Sequence, residues 1–484
     1  MIALPELQSW HSNWKDLRVV VLGLGVSGFS VADTLHELGA KQLVFANAVE
    51  EQHRDLLEVL GIEYRIGLSD SDTTAAIDAF APQLVIVSPG IKPTNPVVQH
   101  LDSKRIPYWG DIELAWRLRD KVKPAEWILI TGTNGKTTTT QLVEHILVEQ
   151  GSRAIACGNI GLPVLDAIRN PDGFDYLVVE ISSFQLHYLN RIAPKVAALL
   201  NIAEDHLDWH GGFDAYIEAK AKVFEGATTA IVYNEEDART GDLAQNADVE
   251  SADVLAVGFT RGVPMDLRVG YIEGSLIDRG FVPYRAKEVP ELANLDDIAQ
   301  IGVVTPHLLS NVAAAVAIAR ACDATPDAIR SAIRSFKLDR HRIEFVADLN
   351  GVLWFDDSKA TNAHAADASL RAFDSVVWLV GGLLKGVDLA PLVAQHAGRI
   401  KAAIVIGVDR EPVLEAFRIH APGVAVYEVA ADNDAVMAQA VAKAVSVAQP
   451  GDVVLLAPAA ASMDQFKDYA DRGEQFAEAV KQHA

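Results

Sequence analysis

Cysteine is nearly absent: Cys157 and Cys322 are the only two in 484 residues, too few for a disulfide framework or a cysteine-rich metal centre. Long apolar runs are missing as well. No stretch reaches the roughly 18 uncharged apolar residues that a membrane helix needs. The opening MIALPELQSWHSNW has no basic segment leading into an apolar one, so the cytoplasm is the expected compartment and no integral membrane segment is expected. Positive charge is scarce. With 42 Lys and Arg against 65 Asp and Glu the net charge is -23, which argues against nonspecific binding to nucleic acid. An anionic substrate has to be held by local lysines, metal ions and helix ends instead of a global field.

What is present is soluble-globular composition, 50% apolar and 22% charged, over a length suited to roughly three domains. The most informative stretch is Trp127 to Thr140, WILITGTNGKTTTT. The apolar Trp127-Ile128-Leu129-Ile130 reads as a buried strand, the following small residues as a tight loop, and TTTTQLVEHILVEQ as an amphipathic helix. Gly132 and Gly135 let the backbone turn with its N–H groups inward, around Thr133 and Asn134. The helix start adds partial positive charge, Lys136 neutralises outer phosphates, and the Thr137 hydroxyl suits magnesium. The spacing is not the full G-x-x-x-x-G-K-[ST], because Ile130 occupies the first glycine position.

Upstream, LRVVVLG leads into Gly23-Leu24-Gly25-Val26-Ser27-Gly28, a G-x-G-x-x-G turn before a helical pattern. A dinucleotide site calls for an acid at the end of the next strand, but QLVFAN ends in Ala46 and Asn47, so another phosphate-bearing ligand is favoured over NAD or FAD. A further strand, PQLVIVSP, ends at the sharp turn Ser88-Pro89-Gly90, and the first domain is expected to close near Tyr108 to Asp111. Downstream, Gly158-Asn159-Ile160-Gly161 precedes the strand pattern YLVVEISSFQL, with Glu180 inside it. A buried carboxylate is costly unless paired or on a metal, which points to magnesium. KVAALLNIAEDHLDWHG is expected to deliver Asn201, Glu204, Asp205, His206 and Asp208 together at a strand end, where His206 suits metal or substrate contact. Tyr216, Lys220 and Lys222 lie on a helix, where lysines ordinarily face solvent. Residues 235–300 read as mixed polar segments with short strand-like runs such as VLAVGF, the loop KEVPELANLDD and no chemistry. His307 to Arg320 is helical, with His307 and Asn311 one turn apart. Residues 336–342 form a charged linker, followed by strands at VLWFDD, SVVWLVGG, KAAIVIG, VAVYEV and DVVLLAP, another open parallel α/β sheet. Three of these strands end in polar or glycine-bearing loops, Asp356 to Asn362, Gly381 to Gly386 and Pro458 to Ser462, which are expected to share one edge of the sheet.

TGTNGKTT, GNIG, ISSFQL, the DHLDWHG run with Lys220 downstream, HRIE, DDSKATN, GGLLKG and PAAASMDQF together resemble the Mur ligase family from end to end of the chain. The resemblance implies three α/β domains: a Rossmann-like UDP-substrate domain (1–110), a central mononucleotide-binding parallel-sheet domain with the phosphate loop (111–337), and a Rossmann-like C-terminal amino-acid-binding domain (338–484). It also implies an ATP- and magnesium-dependent amide ligase that works through an acyl phosphate. DSKATN and ASMDQF favour UDP-N-acetylmuramoyl-L-alanine and D-glutamate as substrates; another Mur-type or folylpolyglutamate-type ligase is the alternative. Position by position, the resemblance puts the nucleotide on Gly132, Thr133, Asn134, Gly135, Lys136, Thr137, Thr138, Asn311, Arg342, Asp357 and Lys359. Thr137, Glu180, His206 and a carbamylated Lys220 fall on the metal site. Ser27, Asn47, Gly90, Asn159, Thr361, Lys385, Ser462 and Tyr469 fall on the substrates, and Lys136, His206, Lys220 and Lys385 carry catalysis. Leu308, Tyr469 and Ala46 depart from the family's asparagine, phenylalanine and aspartate. A monomer is expected.

Overall fold

The apolar runs bounded by glycine, proline and small polar residues become strands of three sheets in the computed structural model, which describes residues 6–190, 192–281, 289–429 and 435–483. The first sheet has β1 (Arg18–Leu22), β2 (Lys41–Ala46), β3 (Glu63–Ile66), β4 (Leu84–Val87) and β5 (Tyr108–Trp109) in the order β3-β2-β1-β4-β5, all parallel. Chain order reverses between β1 and β4, so the glycine turn and the Ser88 turn meet at the carboxyl edge where open sheets take ligands. They meet closely. A Cβ on Gly23, which holds φ +93°, would stand 2.5 Å from the Ser88 hydroxyl, and one on Gly28 would stand 2.2 Å from the Gly23 carbonyl.

The second sheet orders β6 (Glu126–Thr131), β7 (Ala154–Gly158), β8 (Tyr176–Glu180), β9 (Val196–Leu199), β10 (Ala230–Asn234), β11 (Leu255–Phe259), β12 (Arg268–Ile272), β13 (Ser275–Asp278) and β14 (Glu291–Asn294) as β14-β13-β12-β11-β10-β9-β6-β8-β7. The strands from β7 to β12 pair in parallel, with β6 central and buried on both faces, which is why it reads as a continuous apolar run. The third sheet holds β15 (Glu344–Leu349), β16 (Val352–Asp356), β17 (Val376–Gly381), β18 (Ile400–Ile406), β19 (Ala425–Glu428) and β20 (Val453–Leu456) in the order β15-β16-β20-β17-β18-β19.

By packing, one compact unit runs up to Ile202 and includes Trp209–Ala293 and Asn311–Ala332; the other comprises Ala203–Asp208, Asn294–Ser310 and the chain from Ile333 onward. In the first unit a single apolar core joins Val19 and Val21 of the first sheet to Leu129, Val179 and Leu199 of the second. The second unit has cores on both faces of its own sheet, around Trp378 and Val380 on one and Trp354 and Leu379 on the other.

Several expectations need correction. The strand-like run VLAVGF is β11, but the rest of 235–300 is more ordered than expected: among the described residues are the helix Ala238–Gln245, three further strands and the helix Leu295–Ala299, and β12 and β13 form an antiparallel hairpin. Polar residues such as Arg268 and Ser275 interrupt the apolar pattern of the hairpin and hide it from periodicity. Of KEVPELANLDD, Glu291 onward is strand and helix, while Lys287 and Glu288 lie outside the described residues. The third sheet likewise carries an antiparallel edge strand, β15, in the stretch following the expected linker. YLVVEISSFQL is not one strand: β8 stops at Glu180, and Ser182 caps a short helix Ser183–His187 through a reciprocal bond with Gln185. β9 stops at Leu199, and Asn201 to Asp208 follow in the stretch beyond it; by packing, Asn201 groups with the first unit and Ala203–Asp208 with the second. The linker is not simply solvated, since Phe336 and His341 are buried.

Candidate active site

The phosphate loop is built by backbone constraint. β6 ends at Thr131, Gly135 adopts φ +83°, and the helix Lys136–Glu149 starts immediately. Asn201 locks the loop from the end of β9: its Oδ1 accepts from Asn134 N at 2.9 Å, its Nδ2 donates to Asn134 O at 2.9 Å, and its carbonyl accepts from Thr133 N at 3.0 Å. Asn311 closes the other side, because a Cβ on Gly135 would stand 2.2 Å from its Oδ1. Lys136 Nζ folds over the loop and donates to Gly132 O and Thr133 O, both at 3.0 Å. Thr137 stands half-buried in the first turn of the helix, and Thr138 is buried just behind it. The backbone and the lysine are thus arranged for an anion at a helix N-terminus.

Lys220 overturns the solvent-facing reading of its helix: it is 2% exposed. It reaches under the phosphate loop, donating to Gly132 O at 2.8 Å and to Thr131 Oγ1 at 3.2 Å, while Tyr216 on the same helix bonds Thr133 Oγ1 at 2.9 Å. Lys222, two residues on, donates to His187 O and is half-buried. Glu180 is the last residue of β8, adjacent in the sheet to Ile130, and is also 2% exposed. Asn159 Nδ2 donates to its Oε1 at 2.9 Å, and the Gly158 turn at φ +101° presses so close that a Cβ there would stand 2.5 Å from the Glu180 carbonyl. Oε2 is buried without a hydrogen-bond partner among the described residues. A buried, half-satisfied carboxylate beside a phosphate loop fits a magnesium ion, whose oxygen ligands are what such a group supplies.

At the first sheet, Ser27 lies half-buried in the turn that starts the helix Val26–Glu37, Asn47 is exposed just past β2, and Gly90 is exposed at the tip of the Ser88 turn. That turn is held from below by Tyr188 Oη on Ile91 O at 2.6 Å and by Trp209 Nε1 on Gly90 O at 3.4 Å. Ala46, where an acid is missing, is half-buried.

In the second unit the three polar loops converge as expected. Leu383 and Ala461 exchange both backbone bonds, and Ala459 N donates to Ala360 O, so the loops after β16, β17 and β20 form one floor. Asp357 is buried there with Ser369 Oγ on its Oδ2; burial pushes its carboxyl up to about 6 against the pull of Ser369 and Arg342. Lys359 Nζ sits 3.8 Å from the centre of the Tyr469 ring, Ser462 is buried, and Thr361 is half-buried. Lys385, at φ +54°, lines a cavity of about 840 Å³ with Leu384, Asp388, Asp409 and Asp464. His206, at φ +54°, has its Nε2 3.6 Å from Asp205 and packs with this unit.

Two residues of the second unit's loop floor carry no role in the motif reading. Arg472 is wholly buried, and its guanidinium donates to Ser358 Oγ (2.9 Å), Ser358 O (2.8 Å) and Ala460 O (3.1 Å). His341 Nδ1 meets Asp356 Oδ2 at 2.6 Å, a contact that raises its pKa. Among the described residues His341, Glu344 and Asp356 also form a compact set of possible ligand atoms. The sequence signal for His341 is its place at the head of HRIE, before Arg342, and that for Arg472 is its place one helical turn after Tyr469.

Three parallel-sheet layers with a phosphate loop on the central strand define a nucleotide-dependent α/β enzyme of modular build. Residues 17–110 match the Mur ligase MurD-like N-terminal domain, 130–319 the Mur ligase middle domain, and 341–460 the Mur ligase glutamate ligase domain. The chain belongs to the Mur ligase family. It is similar to the UDP-N-acetylmuramoylalanine–D-glutamate ligase of Leifsonia xyli, 51% identical over 99% of this chain and 95% of the relative, and to that of Streptomyces coelicolor, 45% identical over 97% and 99%. Its fold is shared with the UDP-N-acetylmuramate-alanine ligase of Thermotoga maritima, at TM-score 0.56 and 17% identity, covering 97% of this chain and all of that one.

Proposed function

We propose that the chain joins D-glutamate to UDP-N-acetylmuramoyl-L-alanine at the expense of ATP, giving ADP and phosphate, in the synthesis of peptidoglycan precursors. The observation that carries this is identity of 51% across nearly the whole length of a ligase of that name; the phosphate loop geometry supports it chemically. A carboxylate is a poor electrophile, so it first takes the γ-phosphoryl group of ATP. The glutamate amine then attacks the acyl phosphate carbonyl, a tetrahedral intermediate forms, and phosphate leaves.

Gly132 to Thr138 cradle the phosphates, with Lys136 turning from its loop carbonyls to the outer phosphoryl oxygens as negative charge builds there. Asn311 faces the nucleotide side of the loop, and Arg342, Asp357 and Lys359 complete nucleotide binding from the C-terminal domain. Thr137, Glu180, His206 and Lys220 hold magnesium, which supplies positive charge against the phosphoryl oxygens when bound. Lys220 does so as a carbamate, because carbamylation turns a cation into an anion. Ser27, Asn47, Gly90 and Asn159 hold the UDP-muramoyl substrate, and Thr361, Lys385, Ser462 and Tyr469 the glutamate. Domain limits of 1–110, 111–337 and 338–484 accord with these roles. In this reading the chain acts as a monomer. Among the described residues no helix is long and apolar enough to cross a membrane, in keeping with action in the cytoplasm, where ATP is available.

Purified protein with magnesium should release phosphate from ATP only when UDP-N-acetylmuramoyl-L-alanine and D-glutamate are both present. Equal turnover with L-glutamate, or turnover that depends on a folate, would sink the assignment.

A further inference from the structure

One buried carboxylate in the first unit has no place in the chemistry above. Asp111 opens the helix Asp111–Arg117, directly after β5 and Gly110, and is 8% exposed. Burial pushes its pKa up, against the hydrogen bond from Gln185. Its Oδ2 accepts from Gln185 Nε2 at 3.1 Å, while its Oδ1 is buried without a hydrogen-bond partner. A core that needed only shape here would hold an apolar residue, since a half-satisfied buried carboxylate costs stability.

What Asp111 touches explains its retention. Gln185 Oε1 accepts from Ser182 N at 3.1 Å, and Ser182 follows Glu180 by two residues. Between them, Ile181 bonds Ile130 through its N–H and receives Thr131 Oγ1 at 2.7 Å, and Thr131 Oγ1 is in turn the acceptor for Lys220. A continuous hydrogen-bonded path therefore runs from Asp111 through Gln185 and Ser182 to the segment that carries Glu180 and underlies the phosphate loop. The short helix Ser183–His187 is followed by Tyr188, whose hydroxyl holds Ile91 in the Ser88 turn and against whose Cβ Gly110 is packed so tightly that a Cβ there would stand at 3.0 Å.

We propose that Asp111 is a positioning residue for the ligase reaction: standing directly after β5 and bonded to Gln185, it ties the first sheet to the Ser182–Gln185 turn behind Glu180, so that the muramoyl substrate and the phosphate loop keep a fixed separation. The proposal rests on the functional reading above. The reacting carboxylate has to lie in line with the γ-phosphorus, and displacement by about 1 Å is enough to cost on the order of 100-fold in rate. Asp111 touches no substrate itself; it acts through Gln185.

The test is steady-state kinetics of the full chain in all three substrates, with binding of UDP-N-acetylmuramoyl-L-alanine measured separately by calorimetry. If the wild type neither binds nor turns over that substrate, the functional reading fails before Asp111 is in question. Given an active wild type, Asp111→Ala should raise KM for the muramoyl substrate at least tenfold and lower kcat at least tenfold, with KM for ATP within twofold. A merely structural role would instead lower the fraction folded and leave every constant per folded molecule unchanged. That outcome, or equal losses in all three substrates, overturns the proposal. Should Asp111→Ala not fold, Asp111→Asn keeps the shape and one acceptor for Gln185. It should raise KM for the muramoyl substrate about threefold, and wild-type constants throughout would overturn the proposal.

Discussion

Lys220 and Asp357 show how one residue's meaning depends on its surroundings. A lysine on an amphipathic helix is ordinarily a solvent group, yet Lys220 is almost wholly buried beneath the phosphate loop. Lys220→Ala is expected to bind nucleotide and muramoyl substrate near normally while kcat falls about 100-fold, the cost of losing an oriented group at a metal site. Small carboxylic acids should restore part of the activity by standing in for the carbamate. Mass measurement of active enzyme under bicarbonate that finds only unmodified lysine at 220 rejects the carbamate. Asp357 gives a pH signature. Burial raises its pKa to about 6, so it is ionised above that value and protonated below it. In its proposed role as an acceptor for nucleotide hydroxyls it binds more strongly when ionised. KM for ATP should therefore rise as the pH falls through about 6, and the rise should vanish in Asp357→Asn, which binds ATP weakly at every pH. An identical pH dependence in wild type and Asp357→Asn would remove Asp357 from nucleotide binding.

Among elements, the strand–loop–helix unit around Gly135 is the most constrained. At φ +83° an L side chain is strained, and here it would also collide with Asn311 Oδ1 at 2.2 Å. Backbone strain alone is worth about 1–2 kcal/mol. Gly135→Ala should raise KM for ATP tenfold or more, because the N–H groups that face the phosphates lose their directions, while affinity for the muramoyl substrate, measured without nucleotide, stays within twofold. Unaltered KM for ATP would mean that the loop binds its anion elsewhere. The same element shows the limits of periodicity. β6 and β8 are visible as apolar runs because both faces are covered, whereas the hairpin β12–β13 and edge strand β15 have partly polar patterns and pass for loops or linker.

For the whole molecule, ligand binding should register as stability. A ligand that binds only the folded state at about 100 times its Kd adds about 2.7 kcal/mol. Magnesium with a nonhydrolysable ATP analogue is expected to raise the unfolding midpoint, and chelation to remove part of the gain. In Glu180→Ala the magnesium-dependent part should disappear, while the midpoint without ligand stays the same or rises, because the variant no longer buries an unpartnered carboxylate oxygen. A full magnesium-dependent gain in Glu180→Ala would show that this carboxylate does not serve the metal.

The linear order of residues was enough to place the phosphate loop, the glycine turn and the three polar loops of the third sheet, because each is a local pattern: a buried strand, a tight turn, then a helix start. It also carried the family, since motifs spread from Gly132 to Ser462 keep their spacing. It named Asn201 only within a strand-end cluster and His341 only within HRIE, and it was silent on Asp111 and Arg472 as builders of the site. Asn201 clamps Asn134 across 67 residues, Arg472 reaches Ser358 across 114, and Asp111 finds Gln185 across 74. Such pairs have no local signature: a buried polar side chain is tolerable only with partners, and which partners it meets is decided when sheets and helices pack. Lys220 is the plainest case. Its helix reads the same whether the lysine faces water or the underside of a loop, and only the tertiary packing that brings Lys220 to Thr131 and Gly132 chose the second.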